Sequence, residues 1–225
     1  MTEKEAMFRR HSVRIYQDKK IEESKIILIN EKIAEINREG DLNIHFSEDS
    51  GKTFRSFLSR MSGLGSAPSA IICAGKDSED LEQRVGYYGE KLVLYLQQLG
   101  LNTCWVGMFS KKQAELLVAP ETGERTVIAI AVGYGVNQGK ERKTKTPAEV
   151  WAGPDEKPDW FVEGVNAALL APTAINQQKF TIRLNEDETV DFIDNGGVFS
   201  QVDLGIEKYH FEVGSGRKMN LWGRG

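Results

Sequence analysis

The sequence lacks the features that mark several classes of protein. Its 225 residues include only two cysteines, Cys73 and Cys104, and no CxxC spacing that would suit zinc or redox chemistry. Both cysteines lie among apolar or small residues, in the segments IICAG and LNTCWVG. We therefore expect two free, buried thiols in a reducing compartment rather than a disulfide.

Other absences narrow the function. No apolar run approaches the roughly 20 residues that span a bilayer, and the start MTEKEAMFRRHS has no apolar core of a signal peptide. The net charge of -4 lacks the basic excess of a nucleic-acid binder, and no GxGxxG motif marks a dinucleotide-binding Rossmann site. We expect a cytoplasmic protein that binds a small molecule, and neither membrane nor nucleic acid.

What is present is typical of a globular protein, with 40% hydrophobic and 28% charged residues. Helical periodicity predicts helices over 2–9, 21–38, 79–99, 110–118, 159–170 and 202–213. Alternating or continuous apolar runs predict strands over 42–46, 70–74, 124–135, 179–184 and 189–194, the last two as a hairpin. The length fits one domain or two subdomains that share a core.

The chain divides at 137–158, a segment rich in Lys, Thr, Gly and Pro that is a linker or a long functional loop. It separates a first half, 1–136, from a smaller second half, 159–225. One internal echo links them: GYYGEKLVLYLQQLG and VDLGIEKYHFEVGSG each carry a glycine before Glu-Lys, an apolar stretch and a closing glycine. The similarity is weak and chance would also explain it, but it suggests two related half-units.

The turn RHSVR, residues 10–14, is a candidate anion site. Two guanidiniums, which are always charged and present a planar fork of donors, flank the hydroxyl of Ser12. A solvated, salt-bridged turn is the competing interpretation. The basic loop that contains Lys140, Arg142, Lys143 and Lys145 has the same two interpretations: it binds a phosphate, or it is a solvated run of charge.

Two further segments suit a flat ligand. In LGLNTCWVGMF, residues 99–109, Gly107 allows close backbone approach, and the alternative is a hydrophobic strand feeding the core. In APTAINQQ, residues 171–178, amides offer donors and acceptors to the edge of a pyrimidine-like ring. The alternative there is a simple helix-to-strand turn.

Taken together, these motifs resemble the FMN-dependent nitroreductase family. The resemblance rests on RHSVR, APSA before a strand, GL-x-TCW-x-G, VGYG, a following basic K-x-K-x-P loop, and AP-x-A-x-N-x-Q. It implies an α+β fold with a mainly antiparallel central sheet flanked by helices. It also implies bound FMN, with NADH or NADPH as transient reductant and ping-pong hydride transfer through flavin N5 to small acceptors such as nitroaromatics or quinones. No side chain is expected to act as a catalytic acid or base.

The resemblance also assigns site residues. It places Arg10, Ser12 and Arg14 at the FMN phosphate and ribityl chain, with His11 contributing backbone. Lys143 and Lys145 match the family's phosphate cations by their spacing before Pro147. A backbone N–H at Val106 or Gly107, beside Trp105, would face flavin N5. The loop residues that would pack on the ring are Pro172, Thr173, Ala174 and Asn176.

The sequence departs from the family pattern in the position of that loop. Family members carry it soon after the first helix pair, followed by Pro-Trp, whereas here it lies after VGYG and is followed by Lys179-Phe180. We interpret this as a tandem pseudo-dimer, in which the second half supplies the loop that a partner subunit normally donates. Such a chain would hold about one FMN, as a homodimer or a pseudo-dimeric monomer. A flavin carrier or sensor without turnover, and a domain that has lost its flavin, are the alternatives.

Overall fold

The computed structural model describes residues 1–50, 52–54 and 63–218. Within them lie six α-helices: α1 Glu3–Arg9, α2 Glu23–Gly40, α3 Leu81–Gln98, α4 Lys111–Val118, α5 Asp159–Ala168 and α6 Ser200–Ser215. The strands are β1 Asn43–Ser47, β2 Ser69–Lys76, β3 Asn102–Val106, β4 Glu124–Gly133, β5 Trp151–Ala152, β6 Phe180–Leu184 and β7 Val190–Asp194. All six predicted helices and all five predicted strands are present, with ends shifted by a few residues.

A four-stranded antiparallel sheet of order β1-β2-β4-β3 forms the centre of the molecule. Its two inner strands, β2 and β4, are apolar and buried along almost their whole length. Helices α2, α3 and α6 cover one face of the sheet, and α4 together with loops covers the other. A smaller sheet of order β5-β6-β7 packs against α5 and α6 in the second half. The predicted α+β fold with a mainly antiparallel central sheet is confirmed.

The two segments that echo each other in sequence form α3 and α6, which cross at backbone contact. A Cβ atom built on Gly86 would lie 2.1 Å from the carbonyl oxygen of Val202, and one on Gly205 would lie 2.0 Å from that of Gln83. The contact is reciprocal. On each helix, the glycine packs against a carbonyl of the other helix, and that carbonyl lies three residues before the other helix's own glycine. Only glycine permits this separation.

Two stretches differ from the main expectation. The segment before Gly107, for which the periodicity predicts no strand, is the edge strand β3; Cys104 and Trp105 pair with Ala131 and Ile130 of β4. The expected linker 137–158 contains β5, which pairs in parallel with β6. This strand has only two residues, Trp151 and Ala152, which is too short for a sequence pattern to predict. The sequence predicts no clear element over 51–66, and most of that stretch falls outside the described residues.

Both cysteines are free and buried, as predicted. Among the described helices, none is long and apolar enough to cross a membrane.

Candidate functional site

Two adjoining cavities bring the predicted site segments together. The first, about 830 Å³, is walled by the RHSVR turn, the basic loop after β4 and the loop after α5. The second, about 690 Å³, is walled by the end of β3, the start of α6 and the same loop after α5. The side chains that line both cavities are Ser12, Arg14, Pro172, Thr173 and Ile175. The two spaces therefore form one continuous site with a polar end and an apolar end.

The RHSVR turn is held beside β3 by the backbone. Helix α1 ends at Arg9, and the next residue, Arg10, has a φ of -70° and a ψ of 124° that turn the chain into an extended path. Ser12 then forms a parallel bridge to Thr103, and the Val13 N–H donates to the carbonyl of Thr103 at 3.0 Å. Burial of Val13 anchors this path in the core. As a result, the candidate phosphate residues and the candidate ring segment lie side by side.

Buried positive charge marks the polar cavity. Arg10 lines it while only 6% exposed, and its Nε atom makes no hydrogen bond but lies 3.5 Å from the carboxylate of Glu90. Arg142 also lines it, and burial, followed by the nearby charge of Arg10, lowers the pKa of Arg142 to about 10. With Arg14 and Lys140 also in the wall, the cavity suits an anion that would compensate these charges.

The cations supplied by the basic loop are not those chosen by spacing. Lys140 and Arg142 line the polar cavity, whereas Lys143 and Lys145 line neither cavity. The Nζ atom of Lys145 donates to the carbonyl of Gln178 at 2.6 Å, and the carbonyl of Lys143 accepts from Asn176 and Gln178 at 2.9 and 3.0 Å. Lys143 through its carbonyl, and Lys145 through its N–H and its side chain, instead support the loop 172–178.

That loop is strained. Ile175, Asn176 and Gln178 have φ values of 47°, 57° and 46°, in the left-handed region that β-branched residues such as Ile175 rarely adopt. Ile175 is also 87% exposed and lines both cavities. Such strain persists only where surrounding contacts enforce it, and it is characteristic of ligand-binding segments.

Asp203, at the start of α6, is one of the residues whose contacts hold the loop in this strained conformation. Its carboxylate accepts from the Ala174 N–H at 3.0 Å and from Gln177 Nε2 at 2.8 Å. Burial raises its pKa to about 6, against the opposing effect of these hydrogen bonds. Asp203 lines the apolar cavity, and sequence reasoning missed it because nothing near it in the chain signals a partner 29 residues away.

The apolar cavity contains the predicted residues Trp105, Val106, Gly107 and, from the loop, Ala174. A Cβ on Gly107 would lie 2.2 Å from the ring of Phe199, so glycine is required for this close approach. Phe199 itself was not predicted, although the preceding Gly196-Gly197 pair is a signal of a tight turn. His11 and Asn176 line the polar cavity, so every predicted residue except Lys143 and Lys145 borders the site.

Comparison with solved structures shows the class to which this fold belongs. A protein of Thermotoga maritima MSB8 described as a "putative nitroreductase" is 22% identical, with a TM-score of 0.64 over 95% of this chain and 83% of that chain. NfrA2 of B. megaterium is 15% identical, with a TM-score of 0.53 over 75% of this chain and 82% of that chain. At these identities the likeness shows the fold alone.

The family model described as "Putative TM nitroreductase" matches residues 3–215, nearly the whole chain. The chain therefore belongs to this nitroreductase family, a family of oxidoreductases. A search of curated proteins finds no match.

Proposed function

We propose that this protein is an FMN-dependent oxidoreductase that reduces small organic acceptors, such as nitroaromatics or quinones, with NADH or NADPH. The observation that carries the proposal is the group of cations in the wall of the polar cavity, Arg10, Arg14, Lys140 and Arg142, beside a continuous apolar cavity. A flavin mononucleotide has the matching halves: an anionic phosphate and a flat, largely apolar ring.

The residues present fit FMN. Arg10, Arg142 and Lys140 would neutralise the phosphate, and Ser12 and Arg14, which line both cavities, would border the ribityl chain. Trp105, Val106 and Gly107 would border the ring, together with Pro172, Thr173 and Ala174 from the loop after α5. When bound, FMN would supply hydride chemistry at N5, which no side chain of this protein can provide.

The chain's own contribution is binding and electrostatics. Fixed cations favour negative charge in the site without any reorganisation during reaction. The absence of a GxGxxG motif is compatible with a nicotinamide that visits the ring cavity transiently and then yields its place to the acceptor, as ping-pong exchange requires.

The site draws on both halves of the chain, and we propose that they form a tandem pseudo-dimer with one flavin site. Residues before 136 supply the RHSVR turn and β3, while residues after 159 supply the loop 172–176 and Asp203. The reciprocal Gly86 and Gly205 contacts between α3 and α6 support a pseudo-twofold relation between the halves.

The test is an absorption spectrum of the purified protein after incubation with FMN and desalting, followed by NADH or NADPH without oxygen. Retained flavin that bleaches within seconds and recovers with a nitro compound or quinone is the expected result. Retained flavin that does not bleach would instead indicate a carrier or sensor. Complete loss of flavin on desalting would contradict the proposal.

A matched pair of variants ties this result to the site. Arg10→Met should weaken FMN binding by about tenfold or more, since a charged hydrogen bond to phosphate contributes about 1.5–3 kcal/mol. Arg9→Met changes the neighbouring, exposed arginine and should bind FMN as the unmodified protein does. Equal loss in both variants would show that the effect is nonspecific charge.

A further inference from the structure

A buried carboxylate contacts one wall residue of each cavity. Glu90, on α3, is 0% exposed. Its Oε2 atom accepts from Trp105 Nε1 at 2.8 Å, and its Oε1 atom lies 3.5 Å from Arg10 Nε. Arg10 lines the polar cavity and Trp105 lines the apolar one. A single side chain that lines neither cavity thus contacts one residue of each.

The second half of the chain fixes this carboxylate in place. His210 of α6 is 0% exposed, and its Nε2 lies 2.9 Å from Glu90 Oε1. Its Nδ1 lies 3.1 Å from the carbonyl oxygen of Ala167 on α5, which can only accept. The imidazole is therefore held at both ring nitrogens, between α5 and α3, and it orients the carboxylate.

Close packing makes the arrangement rigid. A Cβ on Gly89 would lie 2.5 Å from the Trp105 ring, so the indole rests against the α3 backbone beside Glu90. The Gly86 and Gly205 crossing brings α6, and with it His210, within reach of α3. Both glycine contacts leave little room for Glu90 or Trp105 to adopt another position.

Charge explains why Arg10 depends on this support. Arg142 lies close enough for the two guanidiniums to disfavour each other, while Glu90, Glu207 and Asp203 favour the charge of Arg142. A guanidinium stays charged, so Arg10 without Glu90 would be a buried cation next to another cation. The side chain would then turn toward solvent and leave the cavity wall.

We propose that Glu90 is a positioning residue of the flavin site, oriented by His210, that holds Arg10 for the phosphate and Trp105 for the ring. The inference rests on the proposed FMN function. It assigns a role to a residue pair that joins the two halves of the chain, since Glu90 and His210 are 120 residues apart.

The test compares dissociation constants for FMN and for riboflavin, which lacks the phosphate, by flavin fluorescence. Glu90→Gln should raise the FMN constant by about tenfold or more and the riboflavin constant by much less, because the amide oxygen of Gln can still accept from Trp105 whereas the negative charge beside Arg10 is lost. Trp105→Phe, at the ring end, should weaken both ligands by the same factor. Glu82→Gln makes the same substitution elsewhere on α3, at a glutamate that pairs with Arg125 at 3.1 Å and lines neither cavity, and it should leave the ratio unchanged.

A double-mutant cycle separates positioning from general structure. In an Arg10→Met background, Glu90→Gln should no longer change the ratio of the two constants. Equal weakening of both ligands by Glu90→Gln, tighter FMN binding, or additive effects in the cycle would each overturn the inference.

A second variant is needed if Glu90→Gln does not fold, which the lack of a cooperative unfolding transition would reveal. His210→Gln leaves the carboxylate in place and should shift the ratio in the same direction by about threefold, the loss expected for one hydrogen bond. An unchanged ratio there would overturn the inference. Failure of the unmodified protein to bind FMN would instead overturn the proposed function.

Discussion

At the scale of single residues, burial decides which side chains in and near the site can react. Burial raises the pKa of the Cys73 thiol to about 12 and also raises that of Cys104, which lines the apolar cavity. Only the thiolate is nucleophilic. The native protein at pH 8 should therefore release almost no thionitrobenzoate from an aromatic disulfide reagent within minutes.

The denatured protein is the control for this prediction. In guanidinium chloride it should release two equivalents, one for each cysteine in the sequence. Rapid release of one equivalent from the native protein would show that Cys104 is ionised inside the cavity, contrary to the environment described above.

Glu207 gives a prediction about pH and stability. Burial, then the nearby Asp203 and Asp194, raises its pKa well above the ordinary 4.5. Since the folded-state pKa exceeds the unfolded one, its stabilising contribution is complete below about pH 4.5 and is lost as the pH rises. Glu207→Gln cannot titrate, so its stability relative to the unmodified protein should increase by up to about 1.4 kcal/mol per pH unit above that point.

Urea unfolding at pH 5, 6.5 and 8 measures this difference. Glu186→Gln, at an exposed position in the β6–β7 turn, is the control and should differ from the unmodified protein by a small, constant amount. A pH-independent difference for Glu207→Gln would mean that the carboxyl is already ionised in the folded protein.

At the scale of elements, the α3–α6 crossing depends on two glycines. Alanine in a helix interior normally stabilises by about 1 kcal/mol relative to glycine. At position 205, however, the added Cβ would lie 2.0 Å from the Gln83 carbonyl oxygen and 2.8 Å from the Tyr87 nitrogen. Gly205→Ala should therefore destabilise the protein by roughly 3 kcal/mol, because backbone must move to relieve the contact.

Gly216→Ala separates this effect from ordinary glycine chemistry. Gly216 ends α6 with a φ of 67°, and a Cβ there would meet nothing within 4 Å. Its replacement should cost only about 1 kcal/mol, the strain of a left-handed alanine. Urea unfolding measures the free energy of unfolding of both variants. If Gly205→Ala is as stable as the unmodified protein, the two helices lie farther apart than described.

The elements themselves were largely predictable, because each depends on local periodicity. The apolar stripe of α3 and the continuous run of β4 are visible in a short window of sequence. The edge strand β3 was less clear, since five residues beside a glycine also suit a turn. The two-residue β5 exists only through its pairing with β6, and no local signal predicts it.

The candidate site divides in the same way. Arg10, Ser12 and Arg14 are close in sequence and form a recognisable motif, so they could be selected in advance. Glu90 and Asp203 act through partners far along the chain, and the choice of Arg142 over Lys143 in the cavity wall depends on how the loop turns in space. These long-range features needed the folded structure.

At the scale of the whole molecule, the two halves differ in what they contribute to one site. The first half supplies the cationic turn and strand β3 of the apolar cavity, and the second supplies the strained loop and Asp203, which accepts hydrogen bonds from it. The contacts that join them, through Glu90 and His210 and through the glycine crossing, lie next to the site. Binding and association of the halves should therefore reinforce each other.

This arrangement predicts the flavin stoichiometry. Because the turn and the loop that build the two cavities each occur once in the sequence, one chain should bind one FMN. Titration of a known concentration of protein, well above the dissociation constant, should show a break in flavin absorbance or fluorescence at one equivalent. The same value is expected for monomer and dimer fractions separated by sedimentation. A break at two equivalents would require a second complete site, and the asymmetric division of labour between the halves would then be wrong.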